Sequence, residues 1–142
     1  MRWPDDATDW PLTEHSRIVH CPPHRWHVQE AGNGPTLFLI HGAGAATLSW
    51  RGLFPHLAKR FHVVAFDLPG QGFTKLGNRA RCGLDPIAHD IATLIAQERW
   101  QPALYTGHSA GAAIALRLSD MPDLAAPVFG INAALGNFKG VA

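Results

Sequence analysis

The stretch YTGHSAGAAIAL, Tyr105 to Leu116, constrains this chain more than any other. A β-prone run, Pro102–Thr106, ends there. Gly107, Ser109 and Gly111 follow as G-x-S-x-G, and an alanine-rich helical run begins at once. A backbone that passes from strand to helix so abruptly must turn sharply at the serine. The residues two before and two after are then crowded, and only small ones fit. Such an elbow lifts the serine hydroxyl above the carboxyl end of a sheet. The peptide N–H of Ala110 opens the helix and is aimed where an oxyanion would form. Fourteen glycines in 142 residues make a chance match of the bare pattern an event of roughly 4%. The strand before it and the helix after it therefore carry the inference.

A second segment agrees. LFLIHGAGA sets His41, Gly42, Ala43 and Gly44 directly after a continuous apolar run, Thr36–Ile40, which reads as a strand buried on both faces. In an elbow architecture that loop supplies a second oxyanion donor from its backbone, here the Ala43 N–H. His41 suits holding the loop by hydrogen bonds rather than catalysis. A third segment, FDLPGQGFT, sets Asp67 at a strand end, with Gly70 and Gly72 allowing a tight turn. Asp67 is expected to bind loop N–H groups. It precedes the serine, whereas the acid of such a triad follows it. His108 reads as a packing residue.

The remaining elements alternate. Ser16–Val19 and Arg25–Glu30 are strand candidates around a Cys21–His24 turn. His62–Phe66 is another buried strand, and a short helix is expected within Trp50–Arg60, with Pro55 inside it. Asp85 is expected to cap a helix with Pro86 at its first position, and Leu84, Ile87, Ile91, Leu94 and Ile95 mark its apolar face. A helix after Ser109 stops near Pro122, and Ala126–Ile131 is a last strand. No element is evident in the tail NAALGNFKGVA. This order predicts an α/β architecture with a mostly parallel sheet, flanking helices and an antiparallel N-terminal edge.

Three motifs in order, HGAG, DLPGQG and GHSAG, resemble the α/β-hydrolase superfamily. The flanking phrases DWPLTEHSRIV, RWHVQEAGNGP, LSWRGLFPHLAKRFHVVAFDLPGQGFT and TGHSAGAAIALRL, with the later INAAL, resemble one subgroup: the magnesium-chelatase accessory proteins of bacteriochlorophyll biosynthesis. The resemblance runs from about Asp9 to Leu135. It departs at HGAG, where HGTG is expected, and at Gln71, where the turn often reads GHG. The resemblance implies chains about twice as long. Residues 1–142 are thus expected to be the N-terminal part of one truncated α/β-hydrolase domain, without its lid and C-terminal strands.

All nine histidines precede Ser109, and only Asp120 and Asp123 are acidic after it. A serine nucleophile needs a base within hydrogen-bond reach, so the chain carries a nucleophile and oxyanion donors without the late acid and base of the resembling family. The resemblance implies a role around magnesium insertion into a porphyrin. A general serine esterase and a non-catalytic binding partner remain alternatives. An aspartate would stand at position 109 in dehalogenase-like and epoxide-hydrolase-like relatives. No cofactor and no metal site are expected. Cys21 among His20, His24 and His27 matches no zinc spacing. Twelve basic and eleven acidic residues exclude a nucleic-acid-binding surface. The expected partners are a small-molecule substrate or tetrapyrrole-pathway proteins. No apolar run is long enough to span a bilayer, and the start lacks a signal-peptide core, so a cytoplasmic protein is expected.

Overall fold

The computed structural model describes residues 1–133. Residues 134–142 lie outside the described residues, and with them most of the tail in which the sequence shows no element and the end of the phrase INAAL.

Six strands form one sheet: β1 (Ser16–Cys21), β2 (His24–Ala31), β3 (Thr36–Ile40), β4 (His62–Phe66), β5 (Pro102–His108) and β6 (Val128–Ile131), in the order β1-β2-β4-β3-β5-β6. β4, β3, β5 and β6 run parallel. β1 and β2 pair antiparallel, and β2 pairs antiparallel with β4. This is the expected mostly parallel sheet with an antiparallel N-terminal edge.

The apolar runs of β3 and β4 are explained by two cores. Leu37, Leu39, Val63 and Ala65 point to one face and meet Trp50 and Phe54. Phe38, Ile40, Val64 and Phe66 point to the other. There they meet Ile91, Leu94 and Ile95 of α2 (Leu84–Glu98), and Ile114 and Leu118 of α3 (Ala110–Ser119). Alternate residues serve opposite faces, so beyond Thr36 and His62 at their starts neither β3 nor β4 carries a polar residue on either face.

Three expectations need correction. The hairpin turn is shorter than expected, because the β1–β2 ladder continues to the pair Cys21–His24. The helix expected within Trp50–Arg60 shortens to α1 (Phe54–Leu57), with Pro55 in its first turn, and a 3₁₀ turn at Thr47–Trp50 precedes it. Asp85 does not cap α2. Gly83 holds that place, and Asp85 and Pro86 both lie inside the first turn. The first-turn N–H groups of a helix lack intrahelical partners, so proline is tolerated at several positions there and does not mark the first. The Asp85 carboxylate instead accepts a hydrogen bond from Arg117 Nε of α3 at 2.7 Å.

The hairpin's histidines diverge. His24 and His27 are buried on opposite faces of β2, and His20 is exposed. Cys21 is a buried free thiol and Cys82 an exposed one. Among the described residues no helix is long and apolar enough to cross a membrane.

α3 crosses the sheet at very short range. A Cβ on Gly107 would lie 2.5 Å from Ala112 Cα, and one on Gly111 would lie 2.2 Å from the Ile40 carbonyl oxygen. Both collisions are with backbone, which cannot swing aside. Gly111→Ala should therefore lower unfolding stability by about 2–4 kcal/mol. Leu116→Ala, on the exposed side of the same helix, should change it by less than ~0.5 kcal/mol. Urea unfolding of the two variants checks this, and equal midpoints would contradict it.

Candidate active site

Ser109 stands between the end of β5 and the start of α3 with φ +55° and ψ −122°. A non-glycine residue at positive φ costs on the order of 1–3 kcal/mol and persists only where its surroundings impose it. Here they do. The Ser109 N–H donates to the Ile131 carbonyl of β6 at 3.0 Å, and its own carbonyl accepts from the Ala112 N–H at 3.1 Å. Gly107 and Gly111 let strand and helix close around it.

The loop after β3 lies against this elbow. A Cβ on Gly42 would sit 3.0 Å from Ser109 Cβ and 3.1 Å from the His108 carbonyl oxygen. Half-buried His108 packs beside Gly42, its Nδ1 3.5 Å from the same point. Next to Ser109, Ala43 and Ala110 line one cavity of about 250 Å³. Its other walls are Leu68, Gln71, Cys82, Leu84, Ile87 and Ile114. Leu84, expected on the buried face of α2, is partly exposed here instead. Ala110 opens α3, so its N–H has no acceptor within the helix. The Ala43 N–H likewise meets no protein acceptor among the described residues. Gly44 differs: its N–H donates to Gln71 Oε1 at 2.7 Å.

His41 is fully buried at the end of β3. Its Nδ1–H donates to the Gly42 carbonyl at 2.6 Å, and its Nε2 accepts from the Leu68 N–H at 2.8 Å. Burial pushes its pKa below the usual histidine value, against the Gly42 carbonyl and the Asp67 charge, which favour the proton. The ring is thus neutral at pH 7, and its basic nitrogen is already occupied.

Asp67 is the hub beneath both loops. Fully buried, it accepts from the Thr47 N–H at 2.7 Å, the Phe73 N–H at 2.8 Å and His27 Nδ1–H at 2.7 Å. Burial disfavours the carboxylate, but His27 and the two N–H groups outweigh it and hold the pKa below the ordinary range. A Cβ on Gly72 would come within 2.2 Å of the Asp67 carboxylate, so that turn admits only glycine. His27 Nε2 pairs with Ser16 Oγ at 2.8 Å, which in turn accepts from Gln29 Nε2 at 3.1 Å.

A second buried pair fixes the cavity's outer wall. His24 donates through Nε2 to Asp90 at 2.7 Å and accepts from the Gly77 N–H at 3.1 Å. Arg81 joins Asp90 at 2.8 Å. The segment that leads to Cys82 is thereby held against α2. The sequence offers no sign of these links, because the partners are 53 and 66 residues apart. Gln71 was visible only as a departure in its turn. Its partner Gly44 is set by tertiary packing.

With this geometry in place, comparison with known proteins is decisive at the level of family. A family model described as the alpha/beta hydrolase fold matches residues 35–136. The chain belongs to the α/β-hydrolase fold family. It is 42% identical over 137 residues to the magnesium-chelatase 30 kDa subunit of Rhodobacter capsulatus, covering 94% of this chain and 48% of that protein. It is 34% identical over 94 residues to a pimeloyl-[acyl-carrier protein] methyl ester esterase of Methylococcus capsulatus, covering 66% of this chain and 35% of that one. A crystal structure of a putative lipase from Acinetobacter baumannii superposes with a TM-score of 0.78 at 25% identity, covering 86% of this chain and 44% of that one. The chain spans about half, or less, of the length of these relatives.

The Asp67 hub carries an acid-side signature. Its pKa is depressed in the folded state, so its stabilisation is complete above the unfolded value of about 3.9 and fades as pH falls through the folded value. Asp67→Asn should cost about 2–3 kcal/mol at pH 7, since an amide cannot accept from all three donors. The gap between wild type and variant should narrow below about pH 4. Urea midpoints measured from pH 7 to pH 3 test this, and a gap that stays constant would refute it.

Proposed function

We propose that this chain forms part of an α/β-hydrolase-fold accessory protein for magnesium insertion in bacteriochlorophyll biosynthesis, and that Ser109 is its nucleophile. The observation that carries the chemical half is the place of Ser109, at positive φ, beside a cavity lined by Ala43 and Ala110, whose N–H groups have no protein partner among the described residues. The pathway half is supported by the similarity to the magnesium-chelatase subunit across nearly the whole chain.

In this reading the ligand is a carbonyl compound. Ser109 Oγ attacks the carbonyl carbon and the carbonyl π electrons move to oxygen. The Ala43 and Ala110 N–H groups hold the resulting oxyanion, helped by the N-terminal end of α3. The serine proton must leave to a base. His41 opens the loop that packs against Ser109 and is the tempting substitute, but the Leu68 N–H occupies its basic nitrogen and the Gly42 carbonyl its other one. The residues that complete the reaction lie outside this chain on this reading, which makes residues 1–142 part of a larger domain. Partners are then a small-molecule substrate or tetrapyrrole-pathway proteins. The similarity to the methyl ester esterase favours a second reading, a general serine esterase without a pigment role.

The 142-residue chain should show at most trace turnover of p-nitrophenyl acetate, with Ser109→Ala and His41→Ala changing it little. An oxyanion hole alone leaves only weak residual catalysis. Rapid turnover abolished by both substitutions would make His41 an in-chain base and overturn the proposal. Disrupting the gene in a bacteriochlorophyll-producing host should stop pigment formation at magnesium insertion. Normal pigment together with fluorophosphonate labelling of Ser109 in the longer protein would favour the esterase.

A further inference from the structure

Gln71 stands where the resembling turn often carries histidine. Its backbone is pinned on both sides: its N–H donates to the Leu68 carbonyl at 2.9 Å, and its carbonyl accepts from the Thr74 N–H at 3.1 Å. Its side chain crosses to the neighbouring loop, where Oε1 accepts the Gly44 N–H at 2.7 Å. Only the carbonyl end of a carboxamide can accept an N–H, so this bond also decides where the amino end goes. The two Nε2 protons meet no protein acceptor among the described residues, and Gln71 lines the cavity beside Ala43 and Ala110. The rest of the wall is mostly apolar, with Leu68, Leu84, Ile87 and Ile114.

From this arrangement we infer that Gln71 is a specificity-determining ligand contact: its amide N–H donates to a second acceptor oxygen on an apolar carbonyl compound whose first oxygen faces the Ala43 and Ala110 N–H groups. The inference rests on the cavity assigned to Ser109 above. It adds that the ligand carries two acceptor oxygens on one apolar body. A ligand with only one leaves the Gln71 donors unanswered once water is expelled, and donors stripped of water without a partner weaken binding.

Gln71→Glu separates the two things this side chain does. A carboxylate still accepts the Gly44 N–H, so the loop stays anchored, but it has no proton to donate. Gln71→Leu removes both. Two probes of equal chain length serve as ligands: ethyl benzoylacetate, a ketone with an added ester group, and hexanophenone, the same ketone with a hydrocarbon chain. Binding is followed by amide resonances of the ¹⁵N-labelled chain, with Ala43, Gly44 and Ala110 as reporters. The wild-type chain should bind the keto ester about fivefold more tightly than the ketone, the value of one hydrogen bond. Gln71→Glu should keep the wild-type Gly44 anchoring and the affinity for hexanophenone, and should abolish the preference. Gln71→Leu should lose the preference and also shift the Gly44 resonance in the free chain. If both probes perturb Ala43 and Ala110 but Gln71→Glu retains the preference, Gln71 is only a loop anchor and the inference fails while the cavity assignment stands. If neither probe perturbs Ala43 or Ala110, both fail together.

Discussion

The structure turns on a shortage of space. α3 lies so close to β3 and β5 that positions 107 and 111 have no room for a single methyl group, and the nearest atoms are backbone. This close approach holds Ser109 in a conformation it would not adopt alone. It also brings the first turn of α3 to the loop after β3. Without it the serine would lie on an ordinary strand–helix connection, and Ala110 would not share a cavity wall with Ala43.

Around that steric core, buried polar groups act as fasteners. His41 links the end of β3 to Leu68, and Asp67 ties β4 to Thr47 and Phe73. Both ring nitrogens of His41 and both carboxylate oxygens of Asp67 are engaged by the frame. That is the physical reason neither is free for proton transfer, and it separates the residues that shape this site from the ones that could react in it. Among the described residues, the N–H groups of Ala43 and Ala110 and the amino end of Gln71 have no protein partner, and these three residues line the cavity together with the free cysteine Cys82.

Much of this was legible in the sequence. The runs Thr36–Ile40 and His62–Phe66 announce strands buried on both faces, and the elbow needs only its glycines and its neighbours to be seen. Helix boundaries were less legible. Pro86 fits several positions of a first turn, so it could not fix where α2 begins, and Asp85 found Arg117 instead of its own backbone. Long-range polar pairs were not legible at all. Nothing local in His24 or His27 says that the first meets Asp90 and the second Asp67. Those pairings follow from which face of β2 each side chain takes and from what α2 and β4 place opposite. Gln71 is intermediate, since the odd residue is visible in the string and its consequence is visible only in three dimensions.

The hydrogen bond from the Ser109 N–H to Ile131 has a dynamic meaning. β6 is four residues long and lies at the edge of the described sheet, held on one side by β5 alone. Short edge elements open at the low end of a protein's range of local unfolding energies. The backbone of Ser109, held at positive φ, is thus moored to a short edge strand of the described sheet. In the 142-residue chain, solvent exchange at the Ser109 amide then follows the opening of β6 rather than that of the well-packed core behind it.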